Sequence, residues 1–407
     1  MKKMIRFLTG FILVMGIVAG AVAGMPVTTY AASVFVDNSS DMIGHGGYIY
    51  YIRTSTKDGS SSIWRMKVVN GEKSKVISEP NRIDNLVASG QQLYYTAANN
   101  DSQREVHTCR LNGDDAQMIC EGTVCYADSE SVYIRNETGG QEVLYAKDIL
   151  SGVDTVIRTM KAGQMIGYVC NIGSDSYYDV YDPAADKLVL YRLNTATKKL
   201  IRVAAEKRMV EGSAGALQVS DVKQIEGELY YDFGSYEGSG CFWNGTIKKL
   251  TVDGKKKTVA KLVDDEKIIA GSRELYFSTL KGDTYKYNLR TGKKTKYSLR
   301  FENGISYTVL GDKTYMADTS NKKKIVISRF TSGTDRQTLT KNFISIDFKQ
   351  KANVSYAVSM KQVGNYNLIC VTGTDFTDQK YGWRGKTVSI NWYVTDRGAG
   401  TLLGSFR

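Results

Sequence analysis

The chain has 407 residues, with 54 Lys and Arg against 42 Asp and Glu, a formal net charge of +12, two His and three Pro. At 42% hydrophobic and 24% charged it can bury a core, which excludes an intrinsically disordered chain. Two histidines leave little material for His-based catalytic triads or zinc centres.

The first segment carries basic Lys2, Lys3 and Arg6, an apolar run from Phe7 to Ala23, and small residues around Thr29-Tyr30-Ala31-Ala32. That order reads as an export signal over residues 1–32, so the expected location is secreted or extracellular. The apolar run approaches the roughly 20 residues that span a bilayer, so an uncleaved segment would anchor the chain. Removing three basic residues leaves 12 − 3 = +9 on residues 33–407, with no second spanning segment.

Residues 33–407 are read as one domain because a short motif returns at intervals of roughly 40 to 50 residues, the period of a propeller blade. Its copies are Ile49-Tyr50-Tyr51, Leu93-Tyr94-Tyr95, Val132-Tyr133-Ile134, Ser176-Tyr177-Tyr178, Leu229-Tyr230-Tyr231, Leu275-Tyr276-Phe277 and Thr314-Tyr315-Met316, with a degenerate eighth at Asn367-Leu368-Ile369. Aromatic and β-branched residues bounded by turn residues read as strand. A strand precedes each motif, as in Asn85-Leu86-Val87-Ala88 and Lys267-Ile268-Ile269-Ala270. Some 12 to 20 residues beyond it come two alternating runs joined by a tight turn such as Asn112-Gly113 or Asp253-Gly254. The expected fold is an all-β propeller of four-stranded blades, eight in number, or seven if the degenerate last unit merges with its neighbour.

The Gly-x-x-Leu-Tyr-Tyr strand, clearest at Gly90 to Tyr95 and Gly227 to Tyr231, together with the Leu111-Asn112-Gly113-Asp114 hairpin, resembles an exported bacterial family. Its members are β-propellers of unknown function, similar to the propeller of low-density-lipoprotein-receptor-related proteins. The resemblance covers Gly46 to about Arg407 and implies fold rather than activity. Receptor propellers carry Tyr-Trp-Thr-Asp at this strand, where this chain has Tyr94-Tyr95-Thr96-Ala97. The six-blade geometry and ligand sites of the receptors therefore do not transfer.

Chemistry is harder to find. His45 reads as a turn residue and His107 as a strand residue. The carboxylates Asp179, Asp182 and Asp186 around Pro183 resemble a turn more than a glycosidase pair, and no calcium-loop or phosphate-loop pattern occurs. No cofactor, metal or nucleic acid is expected. The six cysteines lack metal-type spacing and are too sparse for a disulfide scaffold, although Cys109 and Cys120 fall on neighbouring strands. Off-pattern aromatics suggest a binding surface: Tyr236 and Trp243 in or beside the loop of the fifth unit, and Phe376, Tyr381, Trp383 and Arg384 in the long loop from Thr372 to Lys386. Lysines concentrate in the third-to-fourth turns. Lys199, Lys255, Lys256, Lys257, Lys293 and Lys294 should form a basic rim suited to anionic cell-wall polymer. The expected function is a secreted, non-catalytic binding or scaffolding module for a protein or carbohydrate ligand. The alternative is a carboxylate-based polysaccharide lyase or hydrolase on the same scaffold.

Overall fold

A computed structural model describes residues 42–407 apart from short stretches at 56–57, 99–102, 209–214, 226, 238–241, 263–266, 271–273, 279–283, 289–290, 298–304, 311–312, 319–322, 331–338, 348–350, 352, 364–365, 376, 378–385, 397–398 and 407. The export segment expected at 1–32 lies outside the described residues. Every regular element described is a strand. Each repeat motif becomes the second strand of an antiparallel four-stranded meander: Tyr48–Thr54, Gln92–Ala98, Ser131–Thr138, Asp175–Asp182, Glu228–Glu237, Glu274–Ser278, Lys313–Asp318 and Tyr366–Asp375. The strands form six separate four-stranded sheets and one eight-stranded sheet. The latter consists of the seventh and eighth units, joined by a single parallel pair, Ser345 with Ala399. The fold is an all-β propeller, its units numbered here one to eight along the chain.

In units one to four the sheet is apolar on both faces, and the Tyr-bearing strand explains how. Neighbouring residues of a strand point to opposite faces, so the two tyrosines plug different seams. Tyr50 packs with Leu93 and Tyr95 between units one and two. Tyr94 packs with Val124 and Val132 between units two and three, and Tyr133 with Tyr178 between units three and four. Tyr177 then meets Tyr231 and Phe233 between units four and five. The ring closes where Leu368 of unit eight packs with Met42, Ile49 and Tyr51 of unit one.

Hydrogen bonds repeat in the same register. In units two to five the second residue of the first strand is a buried aliphatic, and its N–H donates to a side chain of the preceding unit. Ile83 donates to Ser61 Oγ at 3.1 Å, Val124 to Thr96 Oγ1 at 3.0 Å, Ile166 to Glu142 Oε2 at 2.5 Å and Val219 to Asp179 Oδ2 at 2.7 Å. A first strand has no sheet partner on its inner side, so these bonds satisfy a donor that burial would otherwise orphan.

The turns between strands one and two share a face with those between strands three and four. Val68 N–H donates to Gly47 O, Leu111 N–H to Gln91 O and Ile149 N–H to Glu130 O, at 3.2, 3.1 and 2.8 Å. The five cysteines described are free thiols. Cys120 is opposite Val106, three residues from Cys109, which leaves those two out of register for a bridge.

Two buried tyrosines at equivalent positions should respond differently to loss of their hydroxyl. Tyr231 donates to Glu206 Oε1 at 2.6 Å, whereas the buried Tyr178 hydroxyl has no partner among the described residues. Tyr231→Phe should cost about 1–2 kcal/mol and Tyr178→Phe should be neutral or stabilising, read from equilibrium denaturation midpoints.

Candidate functional site

The carboxylates that could support acid–base chemistry are engaged in structure. Asp179 sits in the second strand of unit four, buried over Gly167 of the adjacent strand. A Cβ at position 167 would lie 2.3 Å from Asp179 Oδ1, so only glycine lets the carboxyl lie there. Burial pushes the Asp179 carboxyl up to about 6, against the opposing bond from Val219 N–H. Asp182 instead accepts from the Ala184 and Ala185 N–H groups of its own turn and from Gln164. Asp186 pairs with Arg208 at 2.8 Å and accepts from the Tyr181 hydroxyl. The three do not converge on a common point. Both histidines are also engaged: His45 Nε2 lies 2.7 Å from Gly90 O in the next unit, and His107 stacks on Tyr95 and contacts Glu105.

Glu206, in the fourth strand of unit four (Lys199–Lys207), is the densest charged centre of the described seams. It receives Tyr231 at 2.6 Å, Lys248 at 2.5 Å and Lys256 at 3.1 Å, all from unit five. Burial works to raise its carboxyl, but the bonds from Lys248, Tyr231 and Lys256 outweigh that and hold it below the usual range. On the inner strand of unit five, Asp221 and Lys223 face each other at 3.6 Å. Burial raises the Asp221 carboxyl and lowers the Lys223 ammonium, each opposed by the other's charge.

Of the residues singled out in the sequence, Phe376, Tyr381, Trp383 and Arg384 lie outside the described residues. Their flanks, Asp375 and Lys386, end the second strand and begin the third strand of unit eight. The loop of the fifth unit expected beside Tyr236 and Trp243, read from Gly234 to Gly240, is corrected over its first four residues. The second strand of unit five runs to Glu237, and Tyr236 pairs with Trp243 across the hairpin. Gly234 permits this: a Cβ there would meet Asn244 O at 2.0 Å, so glycine lets the two strands stay paired where the sequence suggests a turn.

Lys199, Lys255, Lys256, Lys257, Lys293 and Lys294 all flank third-to-fourth turns and are exposed. They are not equivalent. Lys256 turns inward, donating to Ala205 O at 2.9 Å and to Glu206, while Lys255 pairs with Asp253 at 2.7 Å. Lys294 sits 4.2 Å from the Tyr285 ring centroid. Lys199, Lys257 and Lys293 make no ion pair among the described residues. In units two and three the same turns are neutralised by Arg110–Asp115 at 2.6 Å and Lys147–Asp154 at 2.8 Å, which confines the basic rim to an arc.

A cavity of about 480 Å³ opens on unit one, lined by Arg53, Trp64, Lys75 and Glu79 and by hydroxyl side chains that include Ser62 and Ser78. Register explains the convergence: Arg53 is opposite Ser62, and Trp64 lies between Tyr51 and Lys75, so these side chains share the face that unit eight covers further in. The Arg53 guanidinium lies over the Trp64 ring at 5.4 Å, and Trp64 Nε1–H donates to Ser62 Oγ at 3.0 Å. Lys73 is on the same face, its ammonium held below the ordinary range by burial and then by the Arg53 charge. Sequence reasoning passed over this site because it sought long loops, whereas the signal was a serine run, Ser60-Ser61-Ser62, next to one of the four tryptophans.

No family model matches the chain, and no curated protein matches it. Among solved structures it is similar to a prolyl endopeptidase, one of two analysed for inter-domain dynamics in catalysis and specificity, at 13% identity and a TM-score of 0.50, over 81% of this chain and 52% of that one. The chain thus spans about half the length of that enzyme. It is also similar to BamB from Moraxella catarrhalis, at 13% identity and a TM-score of 0.46, covering 85% and 96% of the two chains. The β-propeller domain of the Trilobed protease from Pyrococcus furiosus matches at 13% identity and 0.41, covering 90% and 95%. These likenesses concern the fold alone.

The raised Asp179 carboxyl carries a pH signature. From its usual 3.8 up to about 6 the unfolded chain loses this proton while the folded chain keeps it, so stability contributed by this group falls as pH rises through that window. The full effect is on the order of 3 kcal/mol. Asp179→Asn keeps an acceptor for Val219 and should be the more stable protein above pH 6, with the difference vanishing near pH 4, in denaturation measured across pH. Glu206 acts in the opposite sense: its stabilisation, present above 4.5, is lost as pH falls through its depressed value.

Proposed function

We propose that this chain is a non-catalytic binding propeller acting outside the cell, and that an acidic saccharide is the ligand class seated in the cavity of unit one. One observation carries the reading. The cavity offers two cations, a tryptophan and several hydroxyls, but a single carboxylate, Glu79. Hydroxyls and Trp64 suit the polar edges and apolar face of a sugar ring, while Arg53 and Lys75 suit a carboxylate on it. The carboxylates an alternative lyase or hydrolase would draw on, Asp179 and Glu206, are committed to holding units together. Export by residues 1–32 and the resemblance to exported receptor-like propellers support the location. The residues Phe376, Tyr381, Trp383 and Arg384, with Tyr236 and Trp243 on the paired strand ends of unit five, belong to the reading as a further contact surface for a protein or carbohydrate.

Calorimetric titration of the full chain with trigalacturonate, and with maltotriose as the neutral control, tests the cavity. Trigalacturonate should bind, with an affinity that falls at high salt, and Arg53→Ala with Lys75→Ala should weaken it at least tenfold. No preference for the acidic sugar would overturn the ligand class. Cleavage of the trisaccharide, abolished by Glu79→Gln, would overturn the non-catalytic reading.

A further inference from the structure

Fully exposed aliphatic side chains are unusual at turn tips, where polar residues avoid the cost of wetting them. In this protein they recur at one position. Two residues past the end of the third strand stand Val69, Leu150 and Val252, 88%, 97% and 84% exposed, in units one, three and five. Their predecessors Val68 and Ile149 donate N–H bonds to the adjoining first-to-second turn, which fixes those tips outward on the face that carries the lysines.

The tips and the cations overlap over part of the ring. Val252 sits in the turn that continues into Lys255 and Lys257, between the turns of units four and six that carry Lys199 and Lys293. Leu150 bounds the arc on the unit three side, and Ile201, 42% exposed, lies two residues beyond Lys199. Charge is uneven around the face: Arg110 and Lys147 in units two and three are paired with acids, whereas Lys199, Lys257 and Lys293 have no ion pair among the described residues.

We propose that this arc, from the third-to-fourth turn of unit three to that of unit six, docks on an anionic lipid bilayer. The lysines meet headgroup charge while Leu150 and Val252 enter the boundary between headgroups and acyl chains, the arrangement of peripheral proteins that lie on a membrane without spanning it. Charge complementarity alone would fit a soluble polyanion equally well. The aliphatic tips decide between the two, because a hydrated polymer offers them no apolar phase. The inference is independent of the saccharide cavity, which lies by the second-to-third turn of unit one.

Vesicle sedimentation of the full chain tests it, comparing phosphatidylcholine vesicles with vesicles containing phosphatidylglycerol as about one third of the lipid. The readout is the excess binding to the anionic vesicles, which cancels any contribution common to both from the apolar run Phe7 to Ala23. That excess should fall about fivefold for each of Lys199→Gln and Lys257→Gln, and should fall steeply with salt. Leu150→Ser with Val252→Ser, which leaves the charge unchanged, should reduce it severalfold again. Thermal melts should be unchanged in all four, since every side chain altered is exposed. No anionic excess would overturn the proposal. So would an excess that the Leu150→Ser and Val252→Ser changes leave intact while polyphosphate competes it away, because the arc would then be a polyanion site.

Discussion

Units one to four depend on the constraint that a blade with two apolar faces has no stable existence alone. A sheet of four short strands that is greasy on one side can turn the other side to water, but these sheets present Tyr50 to one neighbour and Tyr51 to the other. Burial must therefore be completed by a neighbour on each side, and the chain of such demands ends only when Leu368 returns to Tyr51. Closure is thus a condition of stability for the first and last units rather than an ornament of the ring.

Packing of this kind is non-directional, and by itself it would not fix how far one sheet slides along the next. The bonds from the inner strands do that. Ile83, Val124, Ile166 and Val219 each place an N–H on a side chain of the preceding unit, at one register position, and Asn85 and Arg135 add bonds to Val124 O and Ile166 O. The acceptors differ, from the hydroxyls of Ser61 and Thr96 to the carboxylates of Glu142 and Asp179, so the geometry recurs while the residue changes. This explains why acidic groups that look available for chemistry in a sequence become structural in the fold. Asp179 remains an acceptor even when protonated, which is how a buried carboxyl can be tolerated there.

The repeat was legible because two local signals agree: bulky residues at the second strand and glycine-bearing turns after the third. All eight motif copies lie in second strands, including the degenerate Asn367-Leu368-Ile369. Which seam each tyrosine fills was not legible, since alternation gives opposite faces without saying which neighbour covers them. The cavity was hidden for a related reason: Arg53, Trp64 and Lys75 come from three strands and meet only through register. Glycine misled at unit five, where Gly234 serves close approach and not a turn.

A second departure from simple alternation shows what the ring geometry demands. Blades diverge as they leave the axis, so the outer end of each seam is wider than the inner end and needs more apolar volume. The fourth strand supplies it with a bulge in which one extra residue opposes the third strand: Val76, Ile119, Ile157, Val203 and Val259 in units one to five. A bulge interrupts the alternation of faces, so consecutive residues can enter one seam, as Val76 with Ile77 and Ile119 with Cys120 do. The same kink disrupts the outermost hydrogen-bonding edge, which in a flat strand would invite another chain to pair. One irregularity thereby fills the wedge and blunts the edge.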